Sequence, residues 1–287
     1  MDKLRALWEL MRLEHGVMIA LAIFIGSVIT GQGLPSFEKG LFAFLTALFL
    51  EAATFSLNDY FDLEVDIKNK RFDRPLARGD LHPRTALFVY LFLLPSGLIT
   101  SYLVNTTCFV VAVINAFIAT LYDVKLKEIK IISNFYIAFV MAIPFIFGSL
   151  AISSHIPHIV IVIAVIAFFS GAAREIMKDV MDLEGDIERH TRSFAFYLGK
   201  QKANQISSFL YVITAIMSVI PYLAPIEKAY YHDHVYLALV LITDFILIYI
   251  SAVLFSRHDM DSMKQMRRLS LIALFIGLIA FLAGAFA

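Results

Sequence analysis

The sequence predicts an all-α polytopic membrane protein with nine transmembrane helices, and its composition, apolar runs and charge distribution support this. Of its 287 residues, 60% are hydrophobic and 17% are charged, whereas a soluble domain is about 45–50% apolar and about 25% charged. This excess indicates an outer surface in contact with lipid. The 24 basic and 24 acidic residues balance, which gives no sign of a nucleic-acid partner. The single cysteine, Cys108, excludes an internal disulfide.

Nine apolar stretches are candidate membrane spans, because a spanning helix needs about 20 mainly apolar residues. Their continuous apolar character favours helices over alternating membrane strands. No removable signal peptide is expected, since residues 1–15 form a charged amphipathic stretch leading directly into the first span. The predicted spans are residues 16–31, 40–57, 85–104, 108–121, 131–152, 156–173, 207–226, 234–256 and 268–287.

The Lys and Arg residues predict the orientation of these spans. With the N-terminus inside, 22 of the 24 lie on the inner side, and only Lys39 and Lys228 lie outside. The positive-inside rule therefore places the N-terminus in the cytoplasm and the C-terminus outside the cell membrane. We interpret residues 1–287 as one transmembrane domain with two pseudo-equivalent aspartate-rich inner loops, at about 58–84 and 174–205.

The two inner loops contain an internal repeat. One begins Asn58-Asp59-Tyr60-Phe61-Asp62-Leu63-Glu64-Val65-Asp66, and the other contains Lys178-Asp179-Val180-Met181-Asp182-Leu183-Glu184-Gly185-Asp186. At an offset of 120 residues, five of the nine positions are identical, including all three aspartates. Each copy follows an even-numbered span, so the copies are expected to face each other across a central cavity, by analogy with membrane proteins built from paired repeats.

The spacing within each copy favours a metal-bridged phosphate site. Three side chains per copy would share one face of a continuing helix, namely Asn58, Asp62 and Asp66, and Asp179, Asp182 and Asp186. Oxygen ligands without His or Cys favour Mg²⁺, which usually takes one or two carboxylates plus phosphate oxygens. The alternative is a solvated acidic surface, which two copies at equivalent positions make the weaker interpretation.

Cationic and hydroxyl groups near these acids would suit a phosphorylated substrate. Tyr122, Lys127 and Lys178 lie at predicted helix ends beside the acids, where cations would stabilise a diphosphate leaving group. Lys130 is interpreted as fixing the membrane orientation only.

Two acids lie inside predicted spans, where a charge is costly unless it faces the bundle interior. Glu51, two turns before Asn58, is expected to neighbour the site, and Asp244 is interpreted as structural. Most of the 26 Phe and 12 Tyr are expected to face lipid. A minority could line a cavity and stabilise an allylic carbocation through their π faces.

Together these residues resemble the UbiA-type intramembrane prenyltransferases over essentially the whole chain. The matching features are the nine helices, the two aspartate motifs, Arg74-Pro75 with Gly79, Tyr122 with Leu126-Lys127, and Arg174-Glu175. The resemblance implies a helical bundle with a central cavity that opens laterally to lipid. It also implies transfer of a prenyl group from an isoprenyl diphosphate to a lipophilic or aromatic acceptor.

The resemblance also implies roles for particular residues. Two Mg²⁺ ions would hold the diphosphate through Asn58, Asp62, Asp66, Asp179, Asp182 and Asp186. The diphosphate would be bound by Tyr122, Lys127, Arg74 and Lys178, and the catalytic residues would be Asp62, Asp182 and Lys127. Membrane lipids are the other expected partners, and no protein partner is implied.

The acceptor is where the sequence departs from many family members. Leu63 replaces a basic residue, His190-Thr191-Arg192-Ser193 replaces a Lys-Thr-x-Pro, and Arg12-Leu13-Glu14-His15 replaces an Arg-Pro-x-Asn. We expect an aromatic quinone precursor such as a hydroxybenzoate, placed slightly ahead of a glycerol-phosphate lipid. A transporter or binding protein for phosphorylated lipids is the hypothesis from another class.

Overall fold

The computed structural model describes residues 3–188, 192–257 and 259–287, without the side chains of Glu128 and residues 184–188. Within these ranges the chain is helical and contains no strand. Its elements are α1 (Lys3–Met11), α2 (Leu13–Gly31), α3 (Phe37–Lys68), α4 (Pro75–Arg78), α5 (Pro83–Val104), α6 (Thr106–Val124), a 3-10 turn (Leu126–Glu128), α7 (Lys130–Ile152), α8 (His158–Glu188), α9 (Phe194–Ser218), α10 (Ile220–Leu223), α11 (His234–Ser256) and α12 (Met260–Ala285).

The predicted all-helical class and number of spans are confirmed. In the described part of the chain, nine helices are long and apolar enough to cross a membrane, namely α2, α3, α5, α6, α7, α8, α9 continued by α10, α11 and α12. Large apolar side chains such as Phe88, Phe117 and Phe245 point outward and are 69–77% exposed. Apolar exposure on this scale suits contact with lipid, because soluble monomers rarely show it.

Several helices extend beyond the predicted spans. The second and sixth were predicted to end at residues 57 and 173, but α3 continues to Lys68 and α8 to Glu188. Much of the two segments predicted as aspartate-rich loops is therefore helical. The seventh span begins at Phe194 instead of residue 207, and the ninth at Met260 instead of residue 268.

Close helix packing holds the bundle together. Helix α2 packs against α7, and α7 packs against α8. A Cβ atom on Gly148 would lie 1.9 Å from the Ile23 carbonyl oxygen, and one on Gly26 would lie 2.1 Å from the Phe145 carbonyl oxygen. Glycine is required at both positions because the two backbones approach so closely, as small residues allow in membrane bundles. Ser27 also donates a hydrogen bond to the Gly148 carbonyl at 2.9 Å.

A short amphipathic helix and the α3–α5 connection cover one end of the bundle. Leu10 of α1 and Leu76 of α4 lie in one buried apolar cluster. Glu9 accepts a hydrogen bond from Arg78 at 2.5 Å, and Arg78 also pairs with Asp80. We call this end, which carries the aspartate motifs, the polar end.

Candidate active site

Helix length explains why the aspartates lie at the polar end. With 32 residues, α3 is about 48 Å long at 1.5 Å per residue, whereas a hydrocarbon core is about 30 Å thick. Its last turns therefore project beyond the apolar layer. The 31-residue α8 does the same, so both motifs occupy projecting helix ends.

The first motif is organised around Arg74. Its Nη1 lies 3.1 Å from Asp59 Oδ1, 3.4 Å from Asp62 Oδ2 and 2.8 Å from Asp66 Oδ2. Arg12, between α1 and α2, reaches Asp59 Oδ1 at 2.6 Å. Burial lowers the pKa of the Arg12 guanidinium, and the charge of Asp59 opposes that shift. Asp59 is 1% exposed, so it anchors these cations within the protein.

The α6–α7 connection contacts the first motif through Lys127. Its Nζ lies 2.5 Å from Asp62 Oδ1 and 5.8 Å from the centre of the Phe61 ring. Asp62 therefore faces two cations, while its side chain is 23% exposed. Nearby, Asn58 Nδ2 donates to Asp123 Oδ1 at 3.0 Å.

The second motif is contacted from the first turns of α7. Lys130 Nζ lies 3.7 Å from Asp179 Oδ1 and 3.8 Å from Asp182 Oδ2. Asn134 donates to Asp179 Oδ2 at 2.6 Å. Asp179 is 2% exposed, whereas the side chain of Asp182 is 55% exposed. The predicted ligand Asp186 lies in α8, but its side chain is outside the described residues.

The predicted diphosphate-binding cation Lys178 lies one turn before Asp182. Its Nζ donates to Glu175 Oε2 at 2.6 Å, and Arg174 donates to Glu175 Oε1 at 3.3 Å. Glu175 is 7% exposed. Two cations are thus held at the cavity wall by one buried carboxylate.

A cavity of about 840 Å³ runs from the polar end into the apolar interior. Its polar end is lined by Asn58, Asp62, Arg74, Tyr122, Lys127 and Lys178. A second cavity of about 160 Å³ shares several of these walls and reaches Asp179 and Asp182. The structure thus brings most predicted residues of both motifs together. Asp66 lines neither cavity and instead pairs with Arg74.

The cavity interior is mainly apolar, with a few polar groups. Tyr122 stacks on Tyr136 with ring centres 4.5 Å apart. Glu51 lines the wall, as its predicted position required. Asp244 also lines the cavity and accepts hydrogen bonds from Ser218 at 2.9 and 2.8 Å, which agrees with its structural interpretation.

The donor set fits hard cations bound together with phosphate. In the described part of the chain, no three His, Cys, Asp or Glu side chains converge as a ready-made metal cage. Mg²⁺ is typically bound by one or two carboxylates plus substrate phosphates rather than by such a cage. Asp62 and Asp182 are partly exposed and already face cationic nitrogens. Their oxygens can therefore accept a metal ion that arrives with a diphosphate.

Several site residues had no sequence signal. Lys130 was interpreted as fixing orientation only, yet it lies against the second motif. Arg12 and Asp59 are 47 residues apart, and Asn134 and Asp179 are 45 apart. Only the repeat itself could have pointed to Asp59, since it occupies the position equivalent to Asp179.

Known proteins share both the sequence pattern and the fold. Residues 19–279 match the UbiA prenyltransferase family. The chain is 43% identical over 284 residues to the digeranylgeranylglyceryl phosphate synthase of Archaeoglobus fulgidus, with 99% of this chain and 96% of the relative covered. It is 32% identical over 285 residues to the enzyme of that name from Methanocaldococcus jannaschii, with 99% and 98% covered.

Solved structures resemble the bundle over nearly its full length. One, described for digeranylgeranylglyceryl phosphate synthase in membranes, has a TM-score of 0.81 and 32% identity, covering 100% of this chain and 99% of the other. A UbiA homolog from Archaeoglobus fulgidus, bound to GPP and Mg²⁺, has a TM-score of 0.62 at 18% identity, covering 96% and 99%. The second likeness concerns the fold.

Proposed function

Because the chain belongs to the UbiA prenyltransferase family, we propose that it transfers a prenyl group from an isoprenyl diphosphate to the hydroxyl of a glycerol-phosphate lipid. The observation that carries this proposal is that the two aspartate motifs, with their cations, line two adjoining cavities, of which the larger runs into the apolar interior. The polar end suits a diphosphate, and the apolar interior suits its hydrocarbon chain. Because the chain belongs to an enzyme family, this proposal replaces the hypothesis of a transporter or binding protein.

The acceptor expected from the sequence is corrected here. The sequence placed an aromatic quinone precursor slightly ahead, but the relatives are named digeranylgeranylglyceryl phosphate synthases, and that name favours the glycerol-phosphate alternative.

We assign Mg²⁺ as the cofactor, since all the donors are oxygens and a relative with this fold holds GPP with Mg²⁺. When bound, the ion supplies Lewis-acid charge neutralisation to the diphosphate leaving group. Among the motif aspartates with described side chains, Asp62 and Asp182 are the most exposed and therefore the first candidates for the two ions. The proposed set is completed by Asn58, Asp66, Asp179 and Asp186.

The chain's own cations would bind the diphosphate. Lys127 and Lys178 line the cavity, and both have flexible side chains. The ammonium group of each can therefore move from its carboxylate partner to a phosphate oxygen. Tyr122 can donate a hydrogen bond from its hydroxyl on the same wall, and Arg74, which contacts the first motif, can donate from its guanidinium group. Such donors stabilise the negative charge that grows as the allylic C–O bond breaks.

The apolar interior would protect the resulting cation. A cavity lined mainly by hydrocarbon excludes water, so capture by a bound acceptor is favoured over hydrolysis. We place the polar end on the cytoplasmic side, because 22 of the 24 Lys and Arg residues belong to the predicted inner segments.

Product identification tests the proposal. Purified protein would be incubated with Mg²⁺, labelled geranylgeranyl diphosphate, and either geranylgeranylglyceryl phosphate or 4-hydroxybenzoate. Mass spectrometry should detect only the doubly prenylated glycerol phosphate. A prenylated hydroxybenzoate would restore the aromatic acceptor, and diphosphate binding without either product would refute the proposed reaction.

A further inference from the structure

Near Asn58, the cavity wall carries two acids that diphosphate binding does not use. Glu51 lies on the face of α3 that also presents Phe55, Asn58 and Asp62 to the cavity. It stands seven residues before Asn58, about 10 Å along the helix toward the apolar interior. Asp123 lies near the end of α6 and lines the same cavity.

Asp123 is a buried carboxylate with one oxygen unused. It is 1% exposed, and its Oδ1 accepts the amide hydrogen of Asn58. Its Oδ2 has no hydrogen-bond partner among the described residues. Buried polar atoms are normally satisfied, so this oxygen points to a donor that a ligand brings.

Glu51 is likewise available to a ligand. Within the described part of the chain, its side chain makes no hydrogen bond and no ion pair within 4 Å, and it interacts electrostatically with Arg12 and Asp123. An intramembrane carboxylate without a direct partner is costly and usually functional. The carboxyl oxygens of both acids can accept hydrogen bonds, so the pair suits a group with a hydrogen to donate, such as a hydroxyl.

We propose that Glu51 and Asp123 form the binding site for the acceptor's reacting hydroxyl, and that Glu51 takes its proton. This inference rests on the proposed function, since an alcohol acceptor must lose a proton when it becomes an ether. The C–O bond of the prenyl diphosphate breaks, and its electron pair leaves with the diphosphate. The alcohol oxygen forms the new C–O bond to the allylic carbon, and its proton moves to the Glu51 carboxylate.

The location of the pair supports this role. Asp123 contacts Asn58, and Glu51 lies two turns from Asn58 toward the apolar interior, so the pair extends from the diphosphate-binding residues into the cavity. An acceptor that attacks from the face opposite the leaving group would approach from that side. Asp123 would orient the hydroxyl, and Glu51 would act as general base.

The test compares Glu51→Gln with Glu38→Gln, the same change at an exposed position in the first turn of α3. Single-turnover ether formation should fall about 100-fold in Glu51→Gln, as is typical for loss of a general base. The Kd for prenyl diphosphate with Mg²⁺ and the thermal midpoint should match wild type. Glu51→Asp, which keeps a carboxylate, should recover part of the rate.

Other results would overturn the inference. Glu51→Gln activity within about twofold of wild type, far from the loss expected of a general base, would remove Glu51 from proton transfer. An equal loss in ether formation and diphosphate binding would show a structural role. Asp123→Asn should raise the KM for the alcohol more than that for the diphosphate, and the reverse would contradict its placement. Failure of wild type to form an ether would instead refute the proposed function itself.

Discussion

Replacing Arg74 by methionine should lower the free energy of unfolding by about 3 kcal/mol, because it removes three ion pairs and leaves one buried aspartate without a partner. Removing one member of a buried pair typically costs about 3–5 kcal/mol, because a buried charge is left without a partner. In this variant Asp62 would still form its ion pair with Lys127, and Asp59 would still form its ion pair with Arg12.

Asp66 would lose the one ion pair that it makes with a described residue, and its side chain is 7% exposed. A single orphaned carboxylate places the cost at the low end of that range. Thermal unfolding in detergent measures it. At about 2–4 °C per kcal/mol for domains of roughly this size, the midpoint of Arg74→Met should fall by about 6–12 °C.

Arg74→Lys is the informative control. All three contacts come from one guanidinium nitrogen, so a single ammonium group can replace much of them. The lysine variant should recover more than half of the decrease in thermal midpoint seen with methionine. A methionine variant within about 2 °C of wild type, less than 1 kcal/mol by the same conversion, would refute this reasoning. So would a lysine variant as unstable as the methionine one.

The remaining predictions concern the motifs, the metal, the α1 contact and the helix packing. Asp62→Ala and Asp182→Ala should each abolish turnover without lowering the thermal midpoint, since both side chains are partly exposed; retained activity would remove that residue from the metal site. EDTA should stop product formation and added Mg²⁺ should restore it, whereas chelator-resistant turnover would contradict a metal-dependent reaction. Hydrogen bonds from Arg78 and Arg5 lower the pKa of Glu9 in the folded protein. The stabilisation from these hydrogen bonds is therefore complete above the ordinary glutamate pKa of about 4.3. It is lost as the pH falls through the lower pKa that Glu9 has in the folded protein. Hydrogen exchange in α1 should accelerate over that acidic range in wild type but not in Glu9→Gln. Gly148→Ala should lower the thermal midpoint, because its Cβ would lie 1.9 Å from a carbonyl oxygen of α2; an unchanged midpoint would mean that α2 and α7 separate without cost.

The sequence predicted the spans well because lipid imposes a simple condition. Each spanning helix needs a long apolar run, and span eight was predicted and found at residues 234–256. Boundaries were missed where helices project into water, since apolar content does not mark those turns. The end of α3 from Asn58 to Lys68 is strongly charged yet helical, and its polar face is what the site requires.

Only those site residues that belong to a local sequence pattern or a family motif could be predicted. The repeat identified Asp62 and Asp182, and the resemblance identified Lys127, which contacts Asp62 from 65 residues away. The partners of the buried aspartates were not found. Arg12 lies between α1 and α2 and Asn134 lies in α7, and no spacing in the chain links them to the motifs.

The structure shows that the equivalent positions of the repeat differ in burial, which the sequence could not reveal. Asp59 and Asp179 are equivalent positions, and both are almost fully buried and bound to partners from other segments. Such side chains fix the orientation of α3 and α8 relative to their neighbours.

The next equivalent pair, Asp62 and Asp182, is more exposed and faces Lys127 and Lys130. These two lysines are three residues apart, Lys127 in the 3-10 turn and Lys130 at the start of α7. Under the proposed function, a diphosphate attracted to either lysine would lie between the two motifs. The internal repeat thus supplies two carboxylate faces, and the segment from the 3-10 turn to the start of α7 supplies one lysine to each.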